Sequence, residues 1–302
     1  MRSSLGVVNW CEGVLMTKLD GIRRTLVLAL EFASLRGRTI SDTTGLGACV
    51  ARAIVGCARA PEEYVCLGQY LSRPIVLCTG GIWMKVRPRS DDLNYLTPAH
   101  KPLVSRRLHV VPGDVVLDVG AHIGFFTLRC AEQGAMVYAI EPNRGTYQIL
   151  CENIRLNGLE SRVKAFDVAV GDEPGQTQVF ARGRFTGTSS LYHEWDSGNP
   201  RLAGLPISGA NETRVVTLDS ILKDAGQDVV DWLLIDAEGS EVRILKGAAE
   251  ALQEVRNVVI ECAKGESTQV CRRILEMAGL TIVESEEADP GTVYVYGARY
   301  GI

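Results

Sequence analysis

The sequence predicts an α/β fold, a doubly wound and mostly parallel sheet, and two observations lead to it. From Val115 onwards, short apolar runs alternate with segments of helical periodicity, which is the pattern of strands joined by crossover helices. Within that region, a strand is joined to a helix by a turn with glycines at 120 and 124, and the next strand ends in Glu141. A turn and an acid in these positions are typical of folds that hold a nucleoside-bearing cofactor.

The composition is that of an ordinary globular protein. The 302 residues are 46% apolar and 23% charged, and the formal net charge is −4. This balance gives no argument for binding to nucleic acid or to an anionic membrane surface. The 9 cysteines include no C-x-x-C pair and no histidine partners at zinc spacing. With an odd cysteine count and no secretory signal, we expect a reducing, cytoplasmic environment.

Residues 1–73 are predicted to form a helical extension ahead of a second domain, residues 74–302. Residues 14–35 and 45–60 carry apolar residues at helical spacing, and no apolar run is long enough to span a membrane. We expect these helices to pack on the second domain or to pair with a second subunit in a homo-oligomer. A helix lying on a membrane surface is the less favoured alternative.

The second domain is predicted to begin with a β-hairpin, residues 74–78 and 82–87, because Thr79-Gly80-Gly81 between two apolar runs is a turn signal. Alternating strands and helices follow. In order, they are strand 115–119, a helix to about residue 134, strand 136–140, helix 144–156, strand 163–170, hairpin strand 176–181, strand 215–218, a helix capped by Asp219 or Ser220, strand 232–235, a helix, strand 258–260, helix 268–278, and strands 281–284 and 293–296.

Turn and cap signals set the limits of these elements. Asn157-Gly158 and Gly279 are helix stops, and Pro174-Gly175 and Asp289-Pro290-Gly291 are turns between strands. Residues 182–213 are rich in Gly, Ser, Arg and Asn and are long for a structureless loop, so we predict that they are functional or mobile.

The glycine spacing of the turn distinguishes between cofactors. A dinucleotide loop has glycine at its first, third and sixth positions, whereas counting from Gly120 gives His122 and Phe125 at the third and sixth. A pyrophosphate would lose its close backbone approach here. A cofactor without phosphate needs only a narrow turn and an acid for its ribose. An α/β turn that binds no nucleotide is the remaining alternative.

The chain resembles the FkbM family of S-adenosylmethionine-dependent methyltransferases from about Gly81 to its C-terminus. The motifs that carry the resemblance are KVRPRSDDLNYL, VVLDVGAHIGFFTL, AIEPN, ENIRLNGL, FDVAVGD, TGTSSL, VVTLDSIL, LLIDAEGSEVRILKGA and VVIEC. The resemblance implies a seven-stranded class I methyltransferase sheet with an antiparallel last strand. It also implies S-adenosylmethionine as cofactor and a hydroxyl group of a sugar or natural product as acceptor. His122 departs from the family, whose loops often carry Asn there.

The predicted cofactor-binding residues lie in the loop, at the ends of neighbouring strands and in the third strand. They are Asp118, Gly120, Ala121, His122, Gly124, Glu141, Pro142, Asp167 and Asp236. Glu141 is assigned to the ribose hydroxyls. Asp118 has an alternative role as an acid that caps backbone N–H groups of the turn. Asp167 lies where related enzymes place a partner for the adenine amino group, and a solvent-facing side chain is its alternative.

The predicted catalytic residues are Asp236, Glu238 and His193. Asp236 follows an apolar strand at the edge where open α/β sheets bind ligands, so its carboxylate needs a partner or a function. His193 lies in the long loop after TGTSSL. Glu241 and Glu261 are expected to contact the acceptor, although an acid such as Glu241 in a first helical turn also complements the helix dipole. We predict no metal, because these acids lack the regular spacing of a cation loop; a Mg²⁺ or Ca²⁺ site among the clustered carboxylates is the less favoured alternative.

The expected reaction is methyl transfer to a hydroxyl whose proton passes to a neighbouring carboxylate or histidine. A non-catalytic scaffold with a methyltransferase-like fold is the main alternative, and it would be favoured by loss of the ribose acid or of the loop glycines. An NAD-dependent oxidoreductase is less favoured, because the dinucleotide glycines are missing.

Overall fold

The structure is a computed structural model, and it describes residues 35–59, 67–96, 102–182, 185–190, 209–289 and 291–299. The chain divides into two compact units, Met1–Thr97 and Pro98–Ile302. The hairpin, which the sequence analysis assigned to the second domain, lies in the first unit. Among the described residues, no helix has the length and apolar composition needed to cross a membrane.

In the part of the first unit that the structure describes, one α-helix lies with a small antiparallel sheet. Helix α1 (Ile40–Arg59) accompanies strands β1 (Arg36–Gly37), β2 (Ile75–Thr79) and β3 (Ile82–Val86), in the order β1-β2-β3. The predicted hairpin is confirmed: Gly80 and Gly81 connect β2 to β3 with φ angles of 56° and 94°, as a two-residue turn between twisted strands requires. The described helix includes the predicted segment 45–60 up to Arg59, whereas residues 1–34 lie outside the described part of the chain.

The second unit is an alternating series of strands and helices. Its elements are α2 (Pro102–Arg107), β4 (Val115–Val119), α3 (Phe125–Glu132), β5 (Met136–Ile140), α4 (Arg144–Leu156), β6 (Val163–Phe166), β7 (Ala169–Val170), β8 (Gly175–Arg182), β9 (Phe185–Ser190), β10 (Gly209–Val216), α5 (Leu218–Ala225), β11 (Val230–Ile235), α6 (Glu241–Lys246), α7 (Ala251–Glu254), β12 (Val255–Ala263), α8 (Glu266–Met277), β13 (Thr281–Asp289) and β14 (Thr292–Ala298).

Seven of these strands form the main sheet, in the order β13-β14-β12-β11-β4-β5-β6. Strands β12, β11, β4, β5 and β6 run parallel to one another. Strand β14 runs antiparallel to both β12 and β13. The predicted doubly wound α/β class and its antiparallel last strand are therefore confirmed. After β4 the chain moves to one side of the sheet, and β11 returns on the other side of β4. Ligands of open α/β sheets bind at such a switch point, beyond the carboxyl ends of the strands.

The central strands are buried, which accounts for their apolar sequences. Leu117 of β4 and Leu233 of β11 are 0% exposed, and they belong to one apolar core with residues of α6 and α8. Strands of a parallel sheet that is covered on both faces read as continuous apolar runs rather than as alternating ones. This core leaves the polar residues of the domain at the ends of the strands, where a site can form.

A second sheet, in the order β7-β10-β8-β9, corrects two predictions. The predicted strand 163–170 is in fact two strands, because β6 pairs with β5 in the main sheet while β7 pairs with β10 in the second. The predicted strand 215–218 is the end of a longer strand, because β10 begins at Gly209 and ends at Val216. The predicted cap at Asp219 or Ser220 is wrong: Thr217 caps α5 by accepting the N–H of Ser220 at 3.2 Å. Of the predicted long loop, residues 185–190 and 209–213 belong to strands β9 and β10.

Candidate active site

The loop of residues 120–124 crosses the carboxyl ends of β4 and β5. The N–H groups of Gly120 and Ala121 both donate to the carbonyl oxygen of Ile140, at 2.9 and 3.0 Å. Gly120, His122 and Gly124 have φ angles of 85°, 51° and 96°. Histidine and asparagine enter the left-handed region more readily than most residues with a side chain. The departure at His122 from the family's asparagine is thus compatible with the backbone that this position requires.

Glu141 anchors the loop from the end of β5. Its carboxylate is 5% exposed, and its two oxygens accept the N–H groups of His122 at 3.0 Å and of Asn143 at 2.8 Å. The residue predicted to bind ribose therefore lies at the switch point and also sets the position of the cofactor loop.

Two buried hydrogen bonds join the loop and the strand before it to the helices α3 and α4. In each bond the residue on the helix, Thr127 or Asn153, was not predicted from the sequence. Thr127 of α3, 0% exposed, donates its hydroxyl to Asp118 at 2.5 Å. Asn153 of α4, also 0% exposed, donates its side-chain N–H to the carbonyl oxygen of Ile123 at 2.9 Å. The available signal was a polar residue on the apolar face of each helix. Asp118 thus ties α3 to β4, which fits its alternative role in ordering the turn.

The glycines of the loop make room for neighbouring parts of the protein. A Cβ atom on Gly120 would lie 1.8 Å from the carbonyl oxygen of Asp236, and one on Gly124 would lie 2.7 Å from Cδ1 of Leu150. The N–H of Asp236 also donates to the carbonyl oxygen of Val119 at 2.9 Å. The end of β11 therefore approaches Gly120 closely, and this brings Asp236 next to the cofactor loop.

Beyond β11, residues 236–240 form an acidic turn. Glu238 and Gly239 have φ angles of 46° and 99°, and Glu241 accepts the N–H of Gly239 at 2.9 Å. Glu241 is 2% exposed. Burial raises the pKa of its carboxyl group to about 7; the N–H groups of Gly239 and of Glu241 itself oppose this shift, and the charges of Asp236 and Glu261 add to it. Two other predicted acids, Asp236 and Glu261, therefore lie close enough to act on the carboxyl group of Glu241.

The structure corrects the position of Glu261. The predicted strand 258–260 is longer than expected, because β12 continues to Ala263 and Glu261 lies within it, opposite Tyr294 of β14. Glu261 is half-buried between two buried neighbours in the strand. Successive side chains of a strand point to opposite faces of the sheet, so Glu261 lies on the face opposite to that of Ile260 and Cys262. Its charge still reaches Glu241, so it remains a neighbour of the acidic turn.

Asp167 lies between β6 and β7 and not within a strand, which corrects the predicted strand at this point. Its side chain is exposed. Partial burial raises the pKa of its carboxyl group, and the charge of Arg144 opposes the shift. Asp167 therefore stands at the ligand edge of β6, and its assignment to adenine stays a prediction.

Of the remaining predicted residues, Ala121 and Pro142 are described by the structure and His193 is not. Ala121 is buried in the loop, and the carbonyl oxygen of Pro142 accepts the side-chain N–H of Asn211 at 3.2 Å. This bond ties the end of β5 to β10 of the second sheet. His193 lies outside the described residues, and its assignment to catalysis stays a prediction.

The backbone of the loop shows which kind of cofactor fits. The N–H groups of Gly120, Ala121 and Gly124 donate to carbonyl oxygens of the protein, and that of His122 donates to Glu141. A pyrophosphate site requires backbone N–H groups that point at the ligand. Because these groups are used internally, the loop suits a cofactor without phosphate.

Comparison with known proteins agrees with this geometry. Residues 118–285, more than half of the chain, match the Methyltransferase FkbM domain family. The chain belongs to the FkbM family of methyltransferases. The matched region begins in β4 and includes the cofactor loop, Glu141 and the acidic turn. The predicted cofactor, S-adenosylmethionine, is the one that this family implies, and the residues of the loop together with Glu141 would hold it.

The chain is similar to methyltransferases with different names. The 31-O-demethyl-FK506 methyltransferase FkbM of Streptomyces tacrolimicus is 33% identical over 172 residues, 50% of this chain and 65% of its own length. The methyltransferase sdnD of Sordaria araneosa is 30% identical over 168 residues, 48% of this chain and 65% of its own. The hexuronic acid methyltransferase AglP of Haloferax volcanii is 26% identical over 188 residues, 62% of this chain and 71% of its own. The matched region thus spans less than two thirds of the first two relatives.

Proposed function

We propose that this protein transfers the methyl group of S-adenosylmethionine to a hydroxyl group of a sugar or of another small molecule. One observation carries the proposal: at the switch point, a loop in which the N–H groups of Gly120, Ala121, His122 and Gly124 are used internally adjoins a buried carboxylate, Glu141. Membership of a methyltransferase family supports the reaction class. The names of two relatives, an O-demethyl-FK506 methyltransferase and a hexuronic acid methyltransferase, support the choice of acceptor.

The bound cofactor supplies an electrophilic methyl group on a sulfonium, so the protein mainly aligns the acceptor and excludes water. Glu141 would accept hydrogen bonds from the ribose hydroxyls, and residues 120–124 would hold the methionine part. Asp118, Pro142 and Asp167 complete the cofactor side of the site. Each of these roles follows from the position of the residue at the ligand edge of the sheet.

On the acceptor side, Asp236 is the proposed general base. It follows β11, adjoins Gly120 and is half-buried. With the cofactor bound, the acceptor oxygen would form the new bond to the methyl carbon as the carbon–sulfur bond breaks and S-adenosylhomocysteine leaves, and the hydroxyl proton would pass to a carboxylate oxygen of Asp236. Glu238 and His193 are the other candidates for this proton, and Glu241 and Glu261 flank the same edge of the sheet.

The test is to supply the purified protein with S-adenosylmethionine and a panel of hydroxyl acceptors that includes hexuronic acids, and to measure S-adenosylhomocysteine by mass spectrometry. We expect product with at least one of these acceptors. Turnover should fall by about 100-fold or more in Asp236→Asn, which keeps the shape and removes the basicity. Methyl transfer only to nitrogen or sulfur acceptors would contradict the proposal. Cofactor binding without turnover on any acceptor would favour a scaffold.

A further inference from the structure

The acidic turn of residues 236–240 is held by a side chain from the helix that follows it. Two consecutive residues, Glu238 and Gly239, have left-handed φ angles, and such a turn needs external support because a residue with a Cβ atom rarely adopts this conformation. The common support would be a hydroxyl cap from Ser240. However, Ser240 makes no side-chain capping bond, and its buried hydroxyl has no hydrogen-bond partner in the described structure.

Glu241 takes the place of that cap. Its carboxyl group is 2% exposed and accepts the N–H of Gly239 at 2.9 Å. Burying a carboxyl group is costly unless its interactions compensate for the loss of water. The titratable groups that face it are Asp236 at the end of β11, Glu261 and Cys262 on β12, and Cys271 of α8, which contacts Cys262. The charged residues of α6 and α8 are exposed, and they are Arg243, Lys246, Glu266, Arg272, Arg273 and Glu276.

The position of the acidic turn affects the cofactor loop directly. The carbonyl oxygen of Asp236 occupies the space beside Gly120 that a Cβ atom would take, and the N–H of Asp236 extends the pairing of β11 with β4. If the acidic turn moved, the carbonyl oxygen of Asp236 would either clash with Gly120 or leave a gap beside it. Interiors are close-packed, so such a displacement is transmitted to the neighbouring backbone.

We propose that Glu241 is a positioning residue: by accepting the N–H of Gly239, it fixes the acidic turn against Gly120 and thereby shapes the S-adenosylmethionine pocket. Its role depends on the hydrogen-bond acceptor and not on the negative charge. The inference rests on the proposed cofactor, and it adds to the predicted role of Glu241, which was contact with the acceptor molecule.

Two variants separate the acceptor from the charge. Glu241→Gln and Glu241→Met both remove the carboxylate and keep a side chain of similar length, but only glutamine keeps the oxygen acceptor. Calorimetry with S-adenosylmethionine should give affinity within about threefold of wild type for Glu241→Gln and at least about tenfold weaker for Glu241→Met. The control is Glu254→Met, at an exposed position on α7, which should leave the affinity unchanged. Equal loss in both variants, or no loss in Glu241→Met, would overturn the proposal.

A second measurement does not depend on the cofactor or on the folding of Glu241→Met. In the NMR spectrum of the cofactor-free protein, the Gly239 amide should shift with pH as the carboxyl group of Glu241 titrates, with a midpoint near the pKa of about 7. The shift should disappear in Glu241→Gln. The proposal would be overturned if the chemical shift of the Gly239 amide did not change with pH in this range. If instead the amide responds but the wild type binds no S-adenosylmethionine, the proposed function fails while the hydrogen bond stands.

Discussion

Glu141 performs two tasks with one carboxylate. Each of its oxygens accepts a backbone N–H, from His122 or Asn143, and the same group faces the position proposed for the ribose. The sequence indicated the second task, because an acid ended the strand after the glycine loop. The anchoring of the loop by Glu141 could not be predicted from the sequence, because the bond from the N–H of His122 depends on how the loop folds back over β5.

Replacing Glu141 should therefore affect both binding and stability. Loss of hydrogen bonds to a charged group predicts about ten- to a hundredfold weaker S-adenosylmethionine binding in Glu141→Ala. The buried N–H of His122 also loses its acceptor, which costs about 1–3 kcal/mol of unfolding free energy, and the partly buried N–H of Asn143 adds less. Calorimetry and thermal unfolding measure the two effects, with Glu132→Gln at an exposed position as the control. Unchanged cofactor affinity would place the ribose acid elsewhere.

The buried carboxyl group of Glu241 predicts a pH-dependent stability. Its pKa is raised from 4.5 to about 7 in the folded state, so the folded protein holds this proton more tightly than the unfolded chain does. The contribution is complete below the unfolded pKa and is lost as the pH rises through the folded pKa. Between about pH 5 and about pH 8, the loss should amount to roughly 2 kcal/mol of unfolding free energy.

Urea unfolding of wild type and Glu241→Gln at both pH values isolates this group, because the other titrations are common to the two proteins. The wild type should lose more stability than the variant as the pH rises. Parallel pH profiles would show that the carboxyl group of Glu241 is already ionised at the lower pH.

At the scale of elements, motifs of the family prove to be contacts between strands, turns and helices. Gly247 of the L-K-G-A motif passes so close to the backbone of Gly171 that a Cβ atom would lie 2.1 Å from its carbonyl oxygen. Asp219 accepts the N–H groups of Glu250 at 3.2 Å and Ala251 at 2.7 Å, which caps α7. The first contact joins the turn after β7 to the end of α6, and the second joins α5 to the start of α7. Packing between elements, and not a role in the reaction, therefore accounts for Gly247 and Asp219.

Gly247→Ala should accordingly destabilise the fold. The added methyl group forces backbone to move, and overpacking of this kind costs about 1–3 kcal/mol of unfolding free energy. Gly175→Ala is the matched control, because nothing lies within 4 Å of the added Cβ atom there. Chemical denaturation of both variants provides the comparison, and equal stabilities would refute the packing account.

Local signals predicted single elements better than pairings between them. Helix α4 has the predicted limits. Asn143 caps its start by accepting the N–H groups of Gly145 and Thr146, and Gly158, just after its end, has a left-handed φ angle of 67° that stops the helix. The division of β6 from β7 was missed, because it depends on pairing β7 with a strand more than forty residues later, β10. Apolar periodicity alone contains no information about such partners.

At the scale of the whole molecule, the family match begins at residue 118, within the second compact unit. We predict that residues 98–302 bind S-adenosylmethionine without the first unit. A cut at the boundary predicted from sequence, before residue 74, would separate β2 from β1 and from α1, so this longer fragment should be the less stable one. Calorimetry and thermal unfolding of both fragments provide the measurement. A soluble 98–302 fragment that cannot bind the cofactor would show that the first unit is needed.

The choice of cofactor is the central claim, and calorimetric titration of the full chain tests it most directly. The internally bonded loop and Glu141 predict binding of S-adenosylmethionine at about micromolar strength and no binding of NAD, whose pyrophosphate finds no free N–H groups at Gly120, Ala121, His122 or Gly124. Binding of NAD without any S-adenosylmethionine signal would contradict the account.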